Sequence, residues 1–173
     1  VGQLADWVPD ALRQRGGARR DMLVVALGGD EPVAHAIVGG QRHALGGRGP
    51  ASALTRANQL ILRDSQADLF LSAIYLVLEI GTGRVIYANA GHNRPLLYRA
   101  ADHTLTELSQ RGIVLGAFET IRLDEGRLDL APGDVVVLFT DGVTDALNAD
   151  GEMFGEQRLR DVVTAHAVGT AKE

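Results

Sequence analysis

The stretch Val135–Ala146, VVVLFTDGVTDA, decides how the rest of the chain is interpreted. Its first five residues are apolar and, apart from Leu138, β-branched or aromatic, which is typical of a strand buried on both faces. This strand runs directly into Thr140-Asp141-Gly142, so a carboxylate stands at the end of a rigid element beside a glycine that permits close approach. Carboxylate oxygens on strand ends suit a hard divalent cation. The stretch alone also fits a strand that stops at an Asp-Gly turn.

Further motifs lie on both sides of this strand. Ala131-Pro132-Gly133-Asp134 is a tight turn that leads into it. The segment Tyr87–Leu97 reads YANAGHNRPLL, and Val114-Leu115-Gly116 follows it. Downstream, Gly151-Glu152-Met153-Phe154-Gly155 precedes a stretch with helical spacing of apolar residues.

This ordered set resembles the bacterial SpoIIE-like and RsbU-like branch of the PPM metal-dependent protein serine/threonine phosphatases. That branch carries a helical asparagine, YANAGH-x-x-P, LG, PGD before a strand, TDG, and FG before a helix. The helical asparagine is matched here by Asn58, and the resemblance covers residues 41–165. A single element such as TDG is weak, whereas six in order at compatible spacing are specific.

The resemblance implies an α+β fold, a four-layer α-β-β-α sandwich of two antiparallel sheets flanked by helices, in permuted or incomplete form. The apolar pattern alone indicates only mixed α and β structure with a buried sheet, because residues 69–80 are apolar on both faces. The pattern predicts helices over residues 3–14, 50–63 and from about 156, a hairpin turn at 81–83, and strands over 22–27, 33–38, 69–80, 84–89, 95–98, 105–108, 121–130 and 135–139.

The implied chemistry is hydrolysis of phosphoserine or phosphothreonine at a centre of two Mn2+ or Mg2+ ions, which activate the attacking water. By resemblance, Asp141 is the catalytic, metal-binding aspartate, and Gly142 lets the metal come close. Asp21 is a second, poorer candidate ligand. Arg20 would occupy the place of the family's first metal-binding aspartate.

Other polar residues near these motifs have simpler interpretations. Asn89 and His92 belong to the YANAGH turn, where we expect His92 to stabilise the turn by hydrogen bonding. Asp145 and Asn148 are expected to cap the short helix after the strand. The serines, Ser72 among them, show no His and Asp arrangement nearby, so nucleophilic serine chemistry is not expected.

The chain departs from the family pattern in its first third. The family's early G-G-D-x-x-D and D-x-x-G-x-G-x-x-A motifs are not found, since Val38-Gly39-Gly40 leads at once into Gln41–Leu45. Either the natural chain is degenerate here or a segment is missing. One aspartate cannot hold two metal ions, so we expect millimolar or no manganese affinity for these residues alone.

Residues 1–29 resemble the helix and closing strand that end the family domain. We therefore treat residues 1–173 as a single phosphatase-like domain and expect Met22–Leu27 to pair within the sheet that contains Val135–Phe139, or with its direct neighbour. The alternative is that any helix, loop and strand would look similar.

Composition agrees with one globular domain. The chain has 173 residues, 46% of them hydrophobic and 23% charged, with no cysteine and a net charge of −5. A general nucleic-acid binder is disfavoured by this charge, and disulfide or thiolate metal chemistry by the lack of cysteine. We expect a cytoplasmic location, no membrane span, and an upstream sensor domain or homodimer as options.

Three functions remain open on the sequence. The first is an active phosphatase acting on a phosphorylated anti-sigma-factor antagonist in bacterial partner switching, as the resemblance implies. The second is a pseudophosphatase that serves as a binding or regulatory module. The third, a purely structural sandwich domain, is disfavoured by the ordered motifs.

Overall fold

The computed structural model describes residues 23–27, 49–64, 70–79 and 82–167, with β1 described by its backbone alone. The elements in chain order are β1 Leu23–Leu27, α1 Pro50–Asp64, β2 Ala73–Glu79, β3 Arg84–Ala90, β4 Leu96–Arg99, β5 Thr104–Glu107, β6 Gly126–Asp129, β7 Val135–Phe139, α2 Asp141–Thr144 and α3 Gly155–His166. No helix within the described residues is both long and apolar enough to span a bilayer.

The strands form two sheets. One has four strands in the order β1-β7-β4-β5, and the other has three in the order β2-β3-β6. Pairing is antiparallel throughout, except that β1 runs parallel to β7 with Leu23 opposite Val135 and Leu27 opposite Phe139. The two antiparallel sheets expected from the sequence are confirmed, with the edge strand β1 as the parallel exception. A hairpin requires antiparallel strands, but strands joined by a long connection are free to run parallel.

The central core lies between the two sheets and follows from the alternation of side chains along each strand. One face of each central strand supplies it, with Tyr87 of β3 and Val136 of β7 both almost completely buried. Its members are Ile74, Leu76, Leu78, Val85, Tyr87, Leu97, Leu108, Leu130, Val136 and Leu138.

The opposite faces of the sheets are covered by helices. Small residues on β2 and β3, such as Ala73, Ala88 and Ala90, pack with Leu54 of α1 in a second buried cluster. On the other sheet, Phe139 and its neighbours pack with Leu159 of α3 in a third cluster. These three clusters separate four layers, so the α-β-β-α sandwich expected from the sequence is confirmed.

The predicted closing strand is confirmed in its pairing, because β1 lies directly beside β7. Two predicted strands were too long: β2 begins at Ala73 and β6 at Gly126. Leu71 makes only an isolated bridge with Leu115, and Ile121 is buried without strand pairing. The predicted helix over residues 3–14 and strand over 33–38 lie outside the described residues. The permuted order of the domain stays a prediction.

Candidate active site

Asp141 stands where β7 passes into α2. Thr140 is extended, with φ −105° and ψ 164°, and Asp141 begins the helix with its side chain exposed. Its Oδ1 accepts a hydrogen bond from the Gly142 N–H at 3.0 Å, and its backbone oxygen accepts one from the Asp145 N–H at 2.7 Å. This arrangement leaves most of the carboxylate free to reach a ligand from a rigid base.

The YANAGH turn is built by Asn89. This side chain is buried and bonds both backbone groups of His92: its Nδ2 donates to the His92 oxygen at 2.9 Å, and its Oδ1 accepts from the His92 N–H at 2.8 Å. Gly91 adopts φ +72°, a conformation that side-chain-bearing residues rarely take. The turn is therefore held by the Asn89 side chain acting on the His92 backbone.

The His92 ring contacts Ser72. Its Nδ1 is 3.0 Å from the Ser72 hydroxyl, which corrects the expectation that Ser72 has no histidine nearby. Burial lowers the pKa of His92, and the negative charge of Asp141 partly opposes this. In a serine-hydrolase triad Nδ1 faces the carboxylate and Nε2 the serine, so this arrangement does not reproduce the triad.

The two residues expected to cap α2 behave differently. Asp145 is the C-cap residue, and its N–H closes the helix on Asp141. Asn148 lies beyond the helix and organises the next loop, where its Oδ1 accepts from the Asp150 N–H at 3.0 Å and the Glu152 N–H at 2.9 Å. The expectation that Asn148 caps α2 is wrong, because its side chain is used by its own turn.

Asn58, the helical asparagine of the motif set, is completely buried. Its Oδ1 accepts from the Gly116 N–H at 2.7 Å, and its Nδ2 donates to the Phe118 oxygen at 2.9 Å. Gly116 has φ +86°. The asparagine therefore ties α1 to the loop that contains the Leu-Gly motif, a structural role that the sequence did not reveal.

Asp134 of the Pro-Gly-Asp turn has a comparable role at the other end of β7. Its side chain, 1% exposed, pairs with Arg99 at 2.7 Å and accepts from the N–H groups of Ala100 at 3.0 Å and Ala131 at 2.9 Å. Burial alone would raise the pKa of Asp134, but these backbone hydrogen bonds and Arg99 lower it overall. The motif thus fixes the entry into β7, far from Asp141.

The described residues do not by themselves fit a two-metal centre. Within them, no three His, Asp or Glu side chains are grouped so that they could hold a metal ion. Asp141 is the candidate they supply, and Asp21 lies outside the described ranges. Because β1 runs parallel to β7, Leu27 lies beside Phe139 and is the end of β1 nearer to Asp141, whereas Leu23 lies beside Val135. We therefore assign no catalytic step to a bound metal.

A cleft of about 420 Å3 opens beside His92, between the YANAGH turn, β5 and α3. Its floor is apolar and includes Phe139 and Leu159, whereas its rim carries arginines and glutamates. The lining residues are Gly91, His92, Asn93, Arg94, Leu96, Glu107, Arg111, Phe139, Glu156, Leu159 and Arg160. No local sequence pattern indicates this cleft, since its charged residues come from separate parts of the chain.

Comparison with known proteins agrees with the motifs. The family described as "Stage II sporulation protein E (SpoIIE)" matches residues 34–173. Because this match spans most of the chain, the protein belongs to the SpoIIE family, in the PPM branch that the motifs predicted.

Three curated relatives show similar agreement. "Phosphoserine phosphatase RsbU" of Bacillus subtilis is 28% identical over 124 residues, covering 72% of this chain and 37% of that protein. "Protein IcfG" of Synechocystis is 32% identical over 98 residues, covering 57% of this chain and 15% of that protein. "Phosphoserine phosphatase RsbP" of Bacillus subtilis is 32% identical over 88 residues, covering 51% of this chain and 22% of that protein. The chain thus spans well under half the length of each relative.

Among solved structures, the Mn-presoaked phosphatase domain of the cell fate determinant SpoIIE from Bacillus subtilis is similar, with a TM-score of 0.43 and 10% identity. The similarity covers 65% of this chain and 48% of that one.

Proposed function

We propose that this protein is a metal-dependent protein serine/threonine phosphatase domain that hydrolyses phosphoserine or phosphothreonine on a regulatory protein, such as an anti-sigma-factor antagonist. The observation that supports this best is the family match over residues 34–173. Two relatives named phosphoserine phosphatases favour an enzyme over a pseudophosphatase. The partner is proposed from the partner-switching role that the motif resemblance implies.

Asp141 is the proposed metal ligand and Gly142 the residue that allows the ion's close approach. The support is geometric: Asp141 is exposed at a strand end, and its carboxylate engages only the neighbouring Gly142 N–H among the described residues. Manganese or magnesium would supply a Lewis acid and an ionised water there. Further ligands would come from outside the described residues. Asp21 is the candidate that the sequence offers, but it precedes Leu23, which pairs with Val135 at the end of β7 away from Asp141.

His92 is proposed to support this site rather than to bind the metal. Its ring is held by Ser72 and its backbone by Asn89, so its position relative to Asp141 is fixed on both sides. Asp145 contributes by closing the short helix on the Asp141 backbone. The Ser72 and Asn89 contacts hold His92 in place, and the Asp145 contact holds the Asp141 backbone, before any ligand arrives, which is what a site with a defined geometry needs.

The test is phosphate release from a phosphoserine peptide by the whole chain, with manganese from micromolar to millimolar and with chelator. We expect release that rises through the millimolar range and stops with chelator, because the described residues supply a single candidate carboxylate. A phosphotyrosine peptide of the same sequence is the control. Release that is insensitive to metal, or absent at every manganese concentration, would refute the proposal.

A further inference from the structure

We propose that the cleft beside His92 binds the acidic flank of the phosphoprotein substrate, with Arg111 and Arg160 setting this preference. The inference rests on the proposed function, and it names a class of substrate sequence that the family match does not supply. It starts from the position of the cleft, its charge, and the donors that its arginines keep free.

The position of the cleft suits residues that flank a phosphoserine. One wall is the turn that holds His92, and the lining also includes Phe139, two residues before Asp141, while Asp141 itself does not line the cleft. From there the cleft extends towards Glu107 at the end of β5 and Arg160 on α3. A phosphoryl group at Asp141 would therefore direct neighbouring substrate residues into the cleft. Its volume of about 420 Å3 lies within the range of ligand pockets.

The charge of the rim favours carboxylates. Arginines outnumber glutamates by one in the lining, with Arg94, Arg111 and Arg160 against Glu107 and Glu156.

Free donors remain on the arginines. Arg94 and Arg160 both bind the single carboxylate of Glu107, the first at 2.9 Å, and all three side chains are only about a third exposed. A guanidinium has five N–H donors, so each arginine keeps several unused. Arg111 makes no side-chain hydrogen bond or ion pair to other described residues. Planar guanidinium groups of this kind recognise carboxylates through paired hydrogen bonds.

The experiment compares two phosphoserine peptides that differ only in flanking residues, which are Asp and Glu in one and Asn and Gln in the other. The whole chain in millimolar manganese should show a lower KM for the acidic peptide. Arg111→Ala and Arg160→Ala should each raise the KM for the acidic peptide about tenfold, because each removes about one charge-assisted hydrogen bond. The kcat should change little. The KM for the neutral peptide should not change.

The control variant is Arg84→Ala, which removes an exposed ion pair with Asp129 at 3.7 Å on the other sheet and should leave both KM values unchanged. Two results would overturn the inference while leaving the phosphatase proposal intact: equal KM values for the two peptides, or a KM for the acidic peptide that neither cleft substitution changes.

If neither peptide is hydrolysed, the proposed function fails and the cleft is judged by binding. Fluorescence anisotropy with the two labelled phosphopeptides in chelator should then show tighter binding of the acidic peptide, weakened about tenfold by Arg111→Ala. Equal binding of both peptides, or no effect of the substitution, would overturn the inference.

Discussion

Replacing Asn58 by alanine should destabilise the protein more than any change to an exposed residue of α1. The substitution removes two hydrogen bonds, to the Gly116 N–H at 2.7 Å and the Phe118 oxygen at 2.9 Å, from a side chain that is 0% exposed. A buried donor left without a partner costs about 1–3 kcal/mol, and a lost hydrogen bond whose partner water can reach costs about 1 kcal/mol. Because Phe118 is largely exposed, we assign it the smaller value. The free energy of unfolding should fall by about 2–4 kcal/mol in total.

Urea unfolding followed by circular dichroism measures this change. Asn58→Asp keeps an oxygen for Gly116 but loses the donor to Phe118, so it separates the two contributions, with an added cost for a buried charge. Gln59→Ala is the matched control on the exposed side of α1 and should change stability by less than about 0.5 kcal/mol. If Asn58→Ala costs less than about 1 kcal/mol, the tie between α1 and the Leu-Gly loop does not stabilise the fold as argued.

Two further predictions concern turns, one at the entry into β7 and one in the YANAGH motif. Asp134→Asn should lower the free energy of unfolding by about 1–3 kcal/mol at neutral pH. The pKa of Asp134 is lowered in the folded state, so this contribution is present above the ordinary carboxyl pKa of about 4 and is lost as the pH falls through the folded-state pKa. The unfolding free energies of mutant and wild type should therefore converge in acid. A difference in unfolding free energy that is constant with pH would contradict this. Gly91→Ala should lower the melting temperature more than Gly151→Ala. Both glycines have positive φ, but an added Cβ at Gly91 would lie 2.5 Å from Val114 Cγ1, whereas nothing lies within 4 Å at Gly151. Equal decreases in melting temperature would show that the contact with Val114 is relieved without loss of stability.

The sheets were predictable where local sequence dominates. The run Val135–Phe139 and the hairpin at residues 81–83 were identified because apolar alternation and turn residues are local signals. The start of β6 was misjudged because buried residues such as Ile121 continue the apolar pattern without strand pairing. Before β2, the apolar residues Phe70 and Leu71 are exposed, and Leu71 pairs only in an isolated bridge.

The site was predictable only in part. The motifs predict Asp141, Asn89 and His92 as candidate site residues, but the contact between Ser72 and His92 depends on how the residues that flank β2 and β3 are brought together. The cleft likewise requires the YANAGH turn, β5 and α3 to meet, through contacts such as Arg160 with Glu107 that join distant parts of the chain. A single sequence carries no local signal for such contacts.

The central claim is that Asp141 is a metal ligand of a phosphatase, and one pair of variants tests it most directly. Asp141→Asn and Asp150→Asn each remove one exposed carboxylate from the same region, and the Asp150 side chain forms no hydrogen bond or ion pair with the rest of the described chain. Phosphate release from a phosphoserine peptide in millimolar manganese should fall at least about 100-fold in Asp141→Asn, since even residues that only support metal ligands cost 10–100-fold. Asp150→Asn should keep wild-type turnover. Wild-type turnover in Asp141→Asn, with its fold intact by circular dichroism, would contradict the account.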